Sequence, residues 1–156
     1  MKKFIILSCA LFLLQACSIK QSISKLPESS MEKMDEICII ENPKVKKSFL
    51  PVYTDALKKN GISTKTLAPS SNTADCDFTS TYTALWSWDL VIYMSYAELN
   101  IYEKGGLAGN AVYDSRSGSA NMGKFIDVDN KVNELVDGML GEKRNVEKQQ
   151  TNITRK

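Results

Sequence analysis

TYTALWSWDLVIYMSYAELNIY, Thr81 to Tyr102, is the stretch on which the fold turns. In its first half Tyr82, Ala84, Trp86 and Trp88 alternate with Thr81, Thr83, Leu85 and Ser87, the two-residue period of a strand with unlike faces. A β-rich run continues from Val91 to Tyr102, and Lys104-Gly105-Gly106 then supplies a hairpin turn into a last strand, Leu107 to about Asp114. The three strands predict an antiparallel meander.

Upstream, Ile37-Cys38-Ile39-Ile40 is a short, continuous, β-branched apolar run ended by Glu41-Asn42-Pro43, which predicts a strand buried on both faces. A helix follows it. Ser48 is placed to cap, Pro51 falls in the first turn, and Phe49, Val52, Tyr53, Ala56 and Leu57 recur at helical spacing before Asn60-Gly61. Ile62 to Leu67 makes the next strand, so the unit is β-α-β with a right-handed crossover. The stretch 68–77, APSSNTADCD, is turn chemistry throughout.

Downstream, Val128, Val132, Leu135, Val136, Met139 and Leu140 mark a helix with one buried face, and Gly141 is placed to end it. The element order is read as β-α-β-β-β-α. It implies an α+β two-layer sandwich, with two helices on one face of a mixed five-stranded sheet.

The chain opens MKKFIILSCALFLLQAC. Lys2 and Lys3 precede an apolar run from Phe4 to Leu14 that is too short for a permanent span. This is the pattern of a secretion signal. Its end, Leu14-Gln15-Ala16-Cys17, resembles the lipobox of bacterial lipoproteins, in which cleavage before the cysteine frees it to carry lipid; Gln15 departs from the usual small residue there. The expected organisation is therefore a signal peptide at 1–16, a lipidated Cys17 with a flexible tether over 17–35, a globular α+β domain at 36–141 and a disordered tail at 142–156. Ser18 is not Asp, which by resemblance to enterobacterial sorting rules implies the outer membrane, facing the periplasm, ahead of the inner membrane.

Removing the signal changes the charge balance. The chain has 20 Lys and Arg against 18 Asp and Glu, and losing Lys2 and Lys3 leaves 18 of each. A near-neutral mature protein gives no argument for nucleic-acid binding. Of four cysteines, Cys9 leaves with the signal and Cys17 is consumed by lipid, so Cys38 and Cys76 remain as an expected disulfide in an oxidising compartment.

There is no histidine, which removes the usual serine and cysteine triads and imidazole zinc sites. The remaining carboxylate candidates are Asp89, Glu98, Asp114, Asp127 and Asp129, of which Asp127 reads more simply as a helix cap. Gly118 to Phe125, GSANMGKF, fits seven positions of the phosphate-loop pattern, yet Phe125 stands where the magnesium-holding hydroxyl belongs. It is read as a connector in which Gly118 and Gly123 supply unusual dihedrals, Phe125 and Ile126 enter the core, and Lys124 is a surface residue. No metal, cofactor or nucleotide is implied.

The segments ICIIENPKV, the pair at Asp75-Cys76 or Cys76-Asp77, TYTALWSWDLVIYMSYAE, Tyr113 to Ser115 and NMGKFID resemble the Sbal-type family of small, uncharacterised proteobacterial lipoproteins. The resemblance covers Cys17 and then about Ile37 to Leu140, and implies an anchored periplasmic domain without a reaction. Tyr82, Trp86 and Trp88, sharing one strand face, are the candidate binding surface, because large aromatics either fill a core or form a contact. The expected role is non-enzymatic binding or scaffolding of an envelope protein partner. The alternative is a small-ligand or lipid carrier using the aromatic face: an enclosed pocket between sheet and helices favours the carrier, an exposed apolar patch the scaffold.

Overall fold

Ile37 and Ile39 point to one side of their strand and are fully buried, while Cys38 points to the other. That strand organises the β-α-β unit of a computed structural model that describes residues 19–118 and 121–141. The expected signal peptide (1–16), Cys17 and the tail at 142–156 lie outside the described residues.

In chain order the elements are β1 (Lys20–Ser24), α1 (Glu28–Met31), β2 (Glu36–Ile40), α2 (Phe49–Lys59), β3 (Ser63–Leu67), β4 (Phe78–Asp89), β5 (Val91–Glu103), β6 (Gly106–Asp114) and α3 (Val128–Leu140). The strands form one mixed sheet in the order β1-β6-β5-β4-β2-β3. β2 runs parallel to both β3 and β4, and β4, β5 and β6 form the antiparallel meander. Lys104 and Gly105 both take positive φ, 50° and 83°, the two-residue turn that suits the right-handed twist of paired strands.

Local chemistry sets the helix ends. Ser48 occupies the N-cap position of α2 but makes no side-chain cap bond, and Gly61 at φ 66° follows the C-cap Asn60. Asp127 caps α3 with its carboxylate, accepting the backbone N–H of Asn130 at 2.8 Å. The apolar faces of both helices, Phe49, Tyr53, Ala56 and Leu57 with Val132, Leu135, Val136, Met139 and Leu140, are buried against the sheet. Tyr53 donates to Ser80 Oγ at 2.7 Å, since that hydroxyl spends its own proton on the Asn100 carbonyl. Burial pushes the Tyr53 phenol well above its ordinary range, with the Ser80 contact opposing.

The α+β sandwich stands, with corrections. The sheet has six strands, not five; all four strands predicted by residue range between the two long helices are present, one more than the order β-α-β-β-β-α writes out. The sixth comes from residues 17–35, read above as a tether: Lys20–Ser24 pairs antiparallel with β6, from Lys20↔Asp114 to Ser24↔Asn110. Such an edge strand hides from sequence reading because its inward positions are Ile19, Gln21 and Ile23, with a polar residue in the middle of the stripe. Gln21 is held there by Glu134 and Lys131 of α3 at 2.7 and 3.1 Å. Leu26 and Met34 are buried as well, so the segment is part of the core. Ile23 lies over Gly138, where an added Cβ would stand 2.5 Å from its Cδ1. Glycine is what lets helix and edge strand approach so closely.

Cys38 and Cys76 form the expected disulfide, with Cα atoms 6.3 Å apart, and it ties the loop before β4 to the outer face of β2. It closes a separation of 38 residues, worth about 4 kcal/mol by the chain-entropy relation. The double variant Cys38→Ala, Cys76→Ala is expected to lose about that much in urea unfolding, and reduced wild-type protein to match it. An unchanged denaturation midpoint would show that the bond constrains nothing.

Candidate functional site

The β4–β5 hairpin is longer than anything beside it. On one side the last strand pairing is Tyr96↔Asp114, on the other Ile39↔Ser80, yet β4 and β5 stay paired through Trp86↔Met94, Ser87↔Tyr93, Trp88↔Ile92 and Asp89↔Val91. Those four rows form a two-stranded ribbon reaching about 13 Å past its neighbours. The register shift between Leu85 and Trp86 leaves Ser95 as the extra residue of a bulge. Its hydroxyl donates to Leu85 O at 3.3 Å and accepts from Ser87, and its carbonyl accepts from both Ser115 N and Ser115 Oγ. The bulge keeps Met94 on the core face with Ala97, Leu99 and Ile101, although the intervening numbering would turn it outward.

The three candidate aromatics share a face, as expected, but not an environment. Tyr82 is buried, 5.5 Å from the Phe49 ring and 6.1 Å from Tyr53, so it is core rather than a contact surface. Trp86 is half-buried at the end of the helix layer, edge-on to Phe49 at 6.1 Å, with the Lys46 ammonium 4.8 Å from its ring. Trp88 lies past that layer and is 74% exposed. Around it stand Leu90 at 79%, Ile92 at 65% and Val91 at 54%. Leu90 forms the apex with φ 62°, a conformation costly for any residue but glycine. A strained, solvent-facing leucine at the tip of an apolar ribbon is a feature that folding does not require.

The GSANMGKF segment braces this ribbon. Lys124 is 2% exposed: its ammonium pairs with Asp89 and lies 5.4 Å from the Tyr93 ring and 5.3 Å from the Phe125 ring. Tyr93 and Phe125 meet edge to face at 5.4 Å. The sequence expectation that Lys124 is a surface residue is thus corrected, because a lysine stem packs like an aliphatic chain once its charge is matched. Phe125 is half-buried against the ribbon instead of deep in the core, and Ile126 packs at the core's edge. Gly118 and Gly123 do not take positive φ; Ile19 packs beneath them, 3.4 and 3.5 Å from where their Cβ atoms would stand. Met122, in the 3-10 turn Met122–Lys124, is 73% exposed beside the ribbon.

The outer sheet face is mostly polar, with Leu85 and Leu107 exposed on it. Tyr96 donates to Glu98 at 2.8 Å, Asn110 reaches Asn100 at 2.7 Å, and Arg116 holds both oxygens of Asp114 at 2.9 and 2.7 Å. Burial and the Glu98 hydrogen bond push the Tyr96 phenol up to about 12. The hydrogen bond from Arg116 draws Asp114 down from 3.8 to about 2. Of the carboxylates considered above, Asp89, Asp114 and Asp127 are each engaged locally, in an ion pair, an Arg fork and a helix cap. Among the described residues no group of three His, Cys, Asp or Glu side chains is placed to hold a metal. Two open surface hollows of about 470 and 480 Å³ lie beside the disulfide and at the start of α2.

No protein-family model matches the chain, and no curated protein matches it. Among solved structures, the PelC dodecamer from Paraburkholderia phytofirmans aligns at TM-score 0.50 and 10% identity, over 79% of this chain and 95% of that one. A minor lipoprotein from Acinetobacter baumannii aligns at TM-score 0.39 and 11% identity, over 69% and 91% of the two chains. TolB from Acinetobacter baumannii aligns at 0.38 and 15%, over 66% of this chain and 28% of its own. The likeness to PelC is one of fold.

Two expectations follow from this geometry. Lys124→Ala removes buried packing and leaves Asp89 without its cation, so urea unfolding should show a loss of about 2 kcal/mol, much of it recovered in Lys124→Met. Equal stability of all three proteins would contradict the brace. Asp114, whose pKa is lower folded than unfolded, stabilises fully above its ordinary 3.8, and that contribution is lost as pH falls toward about 2. Asp114→Asn should lack this component of the acid limb, by less than about 1 kcal/mol because the pair is solvent-screened. Urea midpoints measured across that pH range check it, and identical acid limbs would remove the pair from the account.

Proposed function

We propose that this chain is a lipid-anchored envelope protein, periplasm-facing at the outer membrane, whose role is binding or scaffolding without catalysis. The observation that carries the reading is Leu14-Gln15-Ala16-Cys17 closing a short apolar run behind Lys2 and Lys3. Support comes from the domain itself: no helix of the described residues is long and apolar enough to cross a membrane. The exposed apolar ribbon is the patch that favours a scaffold. That PelC chains of this fold are described as a dodecamer supports association as a kind of work the fold can do. The carrier alternative loses its aromatic site where Phe49 and Tyr53 pack against Tyr82.

Labelled palmitate should enter the wild-type protein and not Cys17→Ser, which should accumulate as precursor and leave the outer-membrane fraction. Normal fractionation of that variant would sink the anchor.

A further inference from the structure

Several features were candidates for a second role: the hollow beside the disulfide, the polar ladder on the outer face, the buried Tyr113 hydroxyl and the ribbon. The ribbon differs from the others in its fixed position relative to β1.

Across the sheet, Lys20, Asp114 and Tyr96 form one row through β1, β6 and β5. β1 therefore enters the sheet at the end from which the ribbon projects. Cys17 precedes Lys20 by three residues and can stand no more than about 11 Å from it. The ribbon tip rises about 15 Å beyond the same row on the same side. A bilayer that takes up a lipid on Cys17 at this end of the sheet lies within reach of Trp88, Leu90, Val91 and Ile92.

The chemistry of the tip suits a lipid surface. From Trp86 to Met94 the ribbon carries one charged side chain, Asp89, and the Lys124 ammonium matches it. An unmatched carboxylate would resist entry into a medium of low dielectric. Tryptophan and tyrosine, here Trp88 and Tyr93, favour the headgroup level, while Leu90, Val91 and Ile92 suit the first part of the acyl layer. Met122 extends the apolar surface on the neighbouring turn. The positive φ of Leu90 is accounted for in the same way: the tight apex thrusts a leucine outward.

We propose that the β4–β5 ribbon is a second membrane contact, its tip inserted in the bilayer that holds the Cys17 lipid, so that the domain is fixed in orientation by two points. This rests on the anchor reading above.

The test uses the lipidated full-chain product carrying Trp86→Phe, which leaves Trp88 as the sole tryptophan of the two in the sequence. It is reconstituted in phosphatidylethanolamine–phosphatidylglycerol vesicles, with or without nitroxide near the glycerol end of the acyl chains. Trp88 emission should shift to the blue, be quenched severalfold by the nitroxide and be shielded from aqueous iodide. Leu90→Ser with Ile92→Ser should restore iodide quenching at unchanged palmitate labelling and unchanged melting temperature. Palmitate labelling with Trp88 open to iodide overturns the ribbon proposal while leaving the anchor intact. Trp88 shielded from both quenchers overturns it in favour of a second protein copy, and absence of palmitate removes the anchor and the proposal together.

Discussion

A strand advances about 3.3 Å per residue and a helix 1.5 Å, and this mismatch governs the molecule. Helices of 11 and 13 residues cover about 16 and 20 Å, whereas β4 and β5, with 12 and 13 residues, run about 40 Å. The helix layer therefore ends while the central hairpin is still going. Tyr82 and Ala84 lie under helix, Trp86 at its rim and Trp88 beyond it, although all four occupy the same face. The bulge at Ser95 sharpens the division by keeping Met94 in the core and fastening the hairpin to Ser115 where the flanking strand stops.

What the sequence makes legible follows from whether a signal is local. The Asp127 cap, the stops of both long helices, the Lys104-Gly105 turn and the alternation from Tyr82 to Trp88 depend on a few adjacent residues, and each of these features falls where those residues put it, whereas Ser48 holds the N-cap position of α2 without a cap bond. The disulfide was legible too, from parity and compartment. By contrast β1 is made a strand by β6, some ninety residues downstream, and its stripe of Ile19, Gln21 and Ile23 is too polar to announce itself. Lys124 is similar: its burial depends on Asp89 and two rings that meet it in space. For the candidate site, periodicity gave the shared face of the aromatics but could not say where the covering layer ends, which is a property of the assembled helices.

The same contrast separates the two sheet faces. The helix side holds its order through burial, with Phe49, Tyr53 and Tyr82 in mutual contact. The outer side holds Tyr96, Glu98, Asn100, Asn110, Asp114 and Arg116 in hydrogen-bonded pairs that water can also satisfy, each worth little alone. A face of that kind is stable without a cover, and although Leu85 and Leu107 are exposed on it, most of the large exposed apolar side chains stand on the ribbon.

The pairing of β1 with β6 also has a bearing on the order of events as the chain is made. The first strand synthesised is among the last to find its neighbour, for Lys20 must wait for Asp114. Until then Ile19, Ile23 and Leu26 have no core to enter, and closing so long a loop comes late for reasons of chain entropy. A chain that still lacks β6 thus leaves its first described strand unpaired, whatever the rest of the sheet has formed. The polar character of the stripe, which hides β1 from the reader of the sequence, would keep that waiting segment soluble in the meantime.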